Sequence, residues 1–557
     1  MKKRLYFIAF AMLQFIAGAT ACTNIIVGKQ ASADGSAFVT YAADSYGMYG
    51  SMYFHKGGKH KPGEMRQIYD GDTNRHWGEI PEAETTYRVV GQMNEHQVSI
   101  CETTFGGREE LCDTTGLLDY VSLMHIALER SATAREAINV MTDLVARYGY
   151  NSEGESFSIC DKNEVWIMEM IGKGPGIRGA NWVAVRIPDD CISAHANQSR
   201  ITHFDLKDKK NVRYSKDIIK FAREKGYFTG KKDSDFSFRD AFAPSDFSAT
   251  RYCEARVWSI FNRFATGMDQ YTDYAFGLVP VSDPAARHTE MPLYIKPDKQ
   301  RPTLQNVMAA MRDHYEDTPI DFRNQPGAGP YQMPYLPTPL SWEVDGQKYF
   351  NERPVSTQQT AFCVVCQMRS ELPDAIGGVV WFTNDDPNMA PFTPVYCGSA
   401  DVPDCYKAQP GKRDDLHYSP KSAFWLQNTV SNFVYPYYSK IFPDLQQVRD
   451  SIEQAIIKQR KIIEEVAVNA QQTHPDKYTK ILTDYSKQKA SDMMKRWQQL
   501  FEYIMVKHND MAVRKLNADG SFKKTPYGLA APVDRPGYPE AYRRHIVEQT
   551  GERYRLK

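Results

Sequence analysis

Two β-prone runs, TNIIVGKQ and SAFVTYAA, follow Cys22 and flank Asp34-Gly35, a dipeptide that turns a hairpin, so the pattern predicts a pair of antiparallel strands over residues 23–42. Over residues 115–147 the apolar spacing becomes helical. Leu117, Val121, Met124 and Leu128 share one face, Ala137, Val140, Met141 and Leu144 mark a second helix, and Thr133 with Glu136 makes a capping box between them. Strand signals return in FSICD, EVWIMEMI and NWVAVRI, with a glycine-rich turn at residues 172–179. Strands, a helix pair, then strands again is the order of an α+β layered sandwich. Residues 323–342 hold five prolines and two glycines and read as a rigid surface loop. A further β-rich block, residues 355–398, includes FCVVCQM and GGVVWFT. From about residue 421 the spacing is helical again. Leu445, Val448, Ile452, Ile456 and Ile463 predict one long helix, and Ile481, Tyr485, Met493, Trp497, Leu500 and Ile504 another. The organisation expected is a core over residues 22–420 and a helical region over 421–557, which packs on that core or makes an oligomer contact.

Charge excludes some partners. Lys plus Arg and Asp plus Glu both number 68 in 557 residues, so no global charge advertises nucleic acid or an anionic membrane. The N-terminus is more telling. Lys2, Lys3 and Arg4 precede an apolar run from Leu5 to Ile16, and Ala19-Thr20-Ala21 is a small-x-small cleavage site, which together form a secretory signal peptide over residues 1–21. That run is too short for a membrane span, and no later stretch approaches the ~20 apolar residues a span needs. The protein is therefore expected to be exported, periplasmic or secreted. Ten cysteines in a chain this long do not make a disulfide scaffold. Cys363 and Cys366 form a CxxC with no second CxxC or partner histidine, so they are read as buried strand cysteines rather than zinc ligands.

Cleavage after Ala21 would leave Cys22 with a free α-amine beside its own thiol. Their ordinary pKa values, ~8 and ~8.5, let the amine act as general base for the thiol near neutrality. Ala19-Thr20-Ala21-Cys22 also resembles a lipoprotein box, in which the cysteine is only an acylated anchor. Against that, the residue three before the cysteine is Ala, and the chain enters a strand at once without a polar tether. The predicted hairpin brings its return strand level with Cys22 around residues 44–47, where Asp44 stands either to orient the α-ammonium or simply to cap a turn. Other signatures fail. Residues 93–96 (MNEH) are not HExxH, no GxSxG, Walker or GxGxxG pattern occurs, and the adjacent Glu109 and Glu110 read as a solvated pair.

CTNIIVGKQASADGS followed by AADS resembles the start of the N-terminal-nucleophile (Ntn) hydrolase dipeptidases, the dipeptidase A type of lactic-acid bacteria and their secreted relatives. ETTFGGREEL, EGESFSICDKNEVWIMEMIGKG, IPDDCISAHANQSRI, TRYCEARVW, HTEMPLYIKPDK and the block over residues 353–396 match in the same order. The resemblance implies a four-layer αββα sandwich, shared with choloylglycine hydrolases and penicillin V acylase, with the C-terminal helices as an addition. It implies hydrolysis of small peptides through an acyl-thioester, with no metal or other cofactor. By similarity Cys22 matches the nucleophile, Asp44 the partner of its amine, Asn197 an oxyanion-hole amide and Arg251 the arginine supporting the nucleophile region. Where the wider superfamily reads Arg-x-x-Asp, this chain has Tyr41-Ala42-Ala43-Asp44, which leaves Arg251 or the α-ammonium to supply positive charge and Tyr41 to bind substrate. Two other functions stand beside a dipeptidase: a related hydrolase of bile-salt, N-acyl amino acid or cell-wall peptide amides, and a lipid-anchored binding protein.

Overall fold

The computed structural model describes residues 22–279, 281, 290–474 and 477–557. The expected signal segment, residues 1–21, lies outside them, as does the start of HTEMPLYIKPDK. Cys22 enters β1 (Asn24–Val27), which runs antiparallel to β2 (Ala37–Asp44), with Ile26 opposite Val39 and Val27 opposite Phe38. The same register continues through the Thr23–Ala42 bridge, so Ala43 comes opposite Cys22 and Asp44 lies beside its amino end. The tight Asp-Gly hairpin is replaced by a longer connection over residues 28–36. Its amides are drawn elsewhere: Gly28 donates to the Cys191 carbonyl at 3.0 Å, and Gln30 and Ala31 donate to that of Asp189. A β-carbon at Gly28 would lie 2.4 Å from the Asp189 oxygen, so this approach requires glycine.

β1 and β2 sit inside a seven-stranded antiparallel sheet. Its order is Tyr294–Ile295, Ile192–His195, β1, β2, Thr360–Met368, Val379–Asn384, Thr393–Tyr396. The second sheet has eight strands, built around Ser99–Gly106, Gly154–Cys160, Val165–Gly172 and Ala180–Ile187. One apolar cluster joins the two sheets through Val39, Tyr41, Cys101, Ile167 and Cys366. Another holds α1 (Tyr120–Arg130) and α2 (Ala134–Tyr148) to the eight-stranded sheet through Leu123, Met141, Phe157 and Trp166. The capping box is half made. Thr133 accepts the Glu136 N–H at 3.2 Å, but the Glu136 carboxylate takes the Ala132 N–H at 2.8 Å rather than that of Thr133.

Strand Thr360–Met368 is buried along its whole length, Cys363 and Cys366 included, because both of its faces are covered. Helices Ala423–Val434, Tyr438–Thr473 and Tyr478–Lys507 pack against the far strands of its sheet, burying Leu445, Ile452, Met493 and Trp497 in the same cluster as the core. The helical expectation ends there. Over residues 508–557 the chain is largely irregular, and its one α-helix, Glu540–Thr550, buries no residue. No helix among the described residues is long and apolar enough to cross a membrane.

Candidate active site

Cys22 is buried, and its thiol is held by burial well above its usual pKa. The Glu102 and Asp44 charges push the same way, against a weaker opposite pull from the Asp44 backbone and Arg353. A thiol so placed is neutral at rest, and to act as a nucleophile it would need a base. The Asp44 side chain points to the opposite face of its strand from Tyr41, as neighbours three apart must, and is fully buried in an ion pair with Arg353. Thr360 Oγ1 donates to it at 2.6 Å, and the backbone of Ser45 is tied to Gln359 at 2.9 Å. Burial still lifts the Asp44 carboxyl above its ordinary range.

Of the two arginines in TRYCEARVW, it is Arg256 that reaches Cys22. Arg256 lies on helix Ala255–Phe264, which continues a π-helical turn over Ala249–Glu254, and its guanidinium is wholly buried. Nη1 donates to the Cys22 carbonyl at 2.7 Å and to Thr23 Oγ1 at 2.8 Å. Nη2 donates to the Ala196 carbonyl and to Asn197 Oδ1, both at 3.0 Å. One side chain thereby ties Cys22 to Asn197. Asn197 has φ +61°, a left-handed conformation that asparagine tolerates, and its Nδ2 donates to the Thr104 carbonyl at 2.7 Å. Arg251, assigned by resemblance to the nucleophile region, instead pairs with the buried Glu352 at 2.5 Å. Glu352 precedes Arg353, so Arg251 anchors the segment that serves Asp44. The Tyr252 ring lies near both guanidinium groups, with Arg256 Cζ 5.4 Å and Arg353 Cζ 5.8 Å from its centroid.

Tyr41 meets protein: its hydroxyl donates a short hydrogen bond to Glu102 Oε1, the same oxygen that lies 3.8 Å from Cys22 Sγ. Burial and the Glu102 charge keep the Tyr41 phenol protonated. Glu102 is itself pushed up to about 7, first by burial, and the buried Glu155 beside it is also raised, well above the usual carboxylate range, by burial and by the Glu102 charge. Sequence reasoning passed over Arg256, Arg353, Glu102 and Glu155. The signal for three of them was present: an arginine between Ala255 and Val257-Trp258, and glutamates inside the β-prone runs SICETTF and GESFSIC, are charges that local burial would force to find partners. Nothing local marks Arg353. Glu109 and Glu110 are exposed on a short turn.

His195 is set into the same sheet opposite Asn24, but both of its nitrogens are engaged, by Thr103 Oγ1 and Ser158 Oγ at 2.7 Å, and burial depresses it to about 3. It is a structural neutral imidazole rather than a base for Cys22. Among the described residues no group of three or more His, Cys, Asp or Glu is arranged to hold a metal. A cleft of about 670 Å³ beside helix Tyr438–Thr473 is lined by Arg312, Arg449 and Glu453 and lies apart from these residues, its arginines already paired with Glu453 and Asp450.

The family model described as Peptidase family C69 matches residues 21–451. A probable dipeptidase of Latilactobacillus sakei is 26% identical over 440 residues, covering 75% of this chain and 82% of that protein. A probable dipeptidase of Salmonella dublin is 26% identical over 409 residues, covering 70% and 84%. Dipeptidase A of Lactobacillus helveticus is 24% identical over 465 residues, covering 79% and 86%.

Proposed function

The chain belongs to peptidase family C69, and on that premise we propose that it is an exported Ntn-type cysteine dipeptidase whose nucleophile, Cys22, is freed as residue one by cleavage after Ala21. The relatives' names support dipeptides as substrates. The packing of helices on the outer side of each sheet supports the four-layer αββα reading. The observation that carries the mechanism is the register of β1 and β2, which sets the amino end of Cys22 beside Asp44, fixed in turn by Arg353 and Thr360.

In this reading the Cys22 α-amine takes the thiol proton as Sγ attacks the peptide carbonyl. Charge moves onto the carbonyl oxygen, where the Asn197 amide is the neutral donor. The α-ammonium then protonates the leaving amine, the C–N bond breaks, and a thioester remains on Cys22. Water, deprotonated by the same amine, attacks the thioester and releases the acid while the proton returns to sulfur. The raised thiol pKa fits a mechanism that needs a base at the moment of attack rather than a standing thiolate.

The test is to insert one Ala between the cleavage site and Cys22. The thiol stays, but its amine becomes an amide without basicity, and dipeptide hydrolysis should fall by about 10²–10⁴-fold. Intact mass should show the parent protein beginning at an unmodified Cys22. A diacylglycerol on Cys22, or normal turnover by the uncleaved Ala-extended protein, ends this mechanism.

A further inference from the structure

The acid pair beneath the nucleophile has no place in the chemistry just given. Glu102 and Glu155 come from neighbouring strands, Ser99–Gly106 and Gly154–Cys160, and both side chains are essentially inaccessible to solvent. Oε1 of Glu102 accepts from Tyr41, and Oε1 of Glu155 accepts from Thr104 Oγ1 at 2.8 Å. The two Oε2 atoms receive no donor from any other described side chain, so the only proton available to bridge the carboxyls is their own. Among the described residues no lysine or arginine is paired with either of them; their side-chain partners are Tyr41, the Cys22 thiol and Thr104. The cations of this region, Arg256 and Arg353, serve the Cys22 carbonyl and Asp44 instead. A buried acid pair without a cation, touching the reacting sulfur, is costly unless a ligand completes it.

Covalent geometry says which part of a substrate would arrive there. In an unblocked peptide the α-nitrogen lies about 2.5 Å from the carbonyl carbon of its own residue. With that carbon about 3–3.5 Å from Sγ in an attack-ready pose, the ammonium falls within about 6 Å of the sulfur. Glu102 Oε1, 3.8 Å from Sγ, is within hydrogen-bond reach of much of that shell. An ammonium brings three donors, enough for the two vacant Oε2 atoms and one more acceptor. We propose that Glu102 and Glu155 form the subsite for the α-ammonium of the residue whose carbonyl Cys22 attacks, and so select substrates with a free amino terminus. The proposal rests on Cys22 being the nucleophile toward peptides. Tyr41, donating to Glu102, is a positioning residue that aims the carboxylate.

The test compares alanyl-alanine with propionyl-alanine, which differ only in the amino group, on the full processed chain and on Glu102→Gln and Glu155→Gln. The parent should favour alanyl-alanine in kcat/KM by at least 10³-fold, as sites built around a polar group do. Each variant should lose about 10²-fold or more on alanyl-alanine, carried mainly by KM, while propionyl-alanine stays within a few-fold, so selectivity collapses. Two variants guard against one failing to fold. Equal losses on both substrates would overturn the proposal and make Glu102 a base for the thiol, and unchanged selectivity would overturn it too. Calorimetry on Cys22→Ala separates the subsite from the reaction. Binding of alanyl-alanine that disappears in Cys22→Ala/Glu102→Gln supports the subsite even if the parent hydrolyses neither compound, and equal binding of both compounds refutes it.

Discussion

Arg256→Met removes the guanidinium that bridges Cys22 and Asn197 and leaves an uncharged, flexible side chain. Its guanidinium donates to the carbonyls of Cys22, Ala196 and Tyr252, to Thr23 Oγ1 and to Asn197 Oδ1, at 2.7–3.0 Å. Charged hydrogen bonds of this kind contribute about 1.5–3 kcal/mol each, but five that share one donor are far from additive, and a net destabilisation of ~3–5 kcal/mol is the scale expected. The effect on rate follows from position. If Cys22 and Asn197 relax by about 1 Å relative to each other, kcat falls by roughly 10²-fold. Arg256→Lys keeps the charge but cannot reach both sides with one ammonium, so its rate should lie between the two. Arg251→Met is the control. Its side chain is 32% exposed, its partner is Glu352 rather than Cys22, and its kcat should stay within about tenfold of the parent. Dipeptide hydrolysis measured beside urea unfolding separates rate from stability. If Arg251→Met loses more kcat than Arg256→Met while both remain folded, the geometry has been misread and the five-residue shift along the helix is wrong.

Asn197→Gly should lower kcat by about 10²–10³-fold with little change in unfolding midpoint, because glycine adopts the left-handed φ that alanine would strain; a kcat within threefold would make Asn197 a structural turn. Glu102→Gln should gain stability relative to the parent as pH rises. The parent carboxyl is raised to about 7 in the fold, so the stabilisation it gains by holding a proton is complete below ~4.5 and lost as pH climbs through about 7. Urea midpoints at pH 5 and pH 8 test this, and a variant that fails to gain on the parent between the two would refute it.

The periodic parts of the chain were legible. The helix pair appeared where the spacing changed, although α1 is buried on almost every side rather than along one stripe. The strands of the 157–186 region and the two long C-terminal helices also stand close to where their apolar positions placed them. The hairpin was half legible: its strands follow from composition, but its long connection depends on the Asp189 and Cys191 carbonyls, which no local pattern reveals. At the site, the juxtaposition of Cys22 and Asp44 was readable because strand register is a local property. Arg256 was hidden by a neighbour of the same type in the same motif. Tyr41 looked like a lost cation, whereas the structure gives its hydroxyl to Glu102, a residue on the other sheet. Arg353 follows no signal but its tertiary position, where the partner it neutralises is distant in sequence.

That distance has a consequence for when the protein becomes chemically competent. Cys22 stands at one end of the described chain, yet Arg256, which holds it, is 234 residues on, and Arg353 and Thr360, which hold Asp44 beside it, are 309 and 316 residues beyond Asp44. The strand carrying Thr360 is in turn sealed by helices that end only at Lys507. Contacts of such span form late, since the entropy of closing a long loop is spent before they return anything. A nascent chain therefore carries Cys22 without the groups that surround it, and peptide-cutting activity should arise in a single step, once nearly the whole polypeptide has folded.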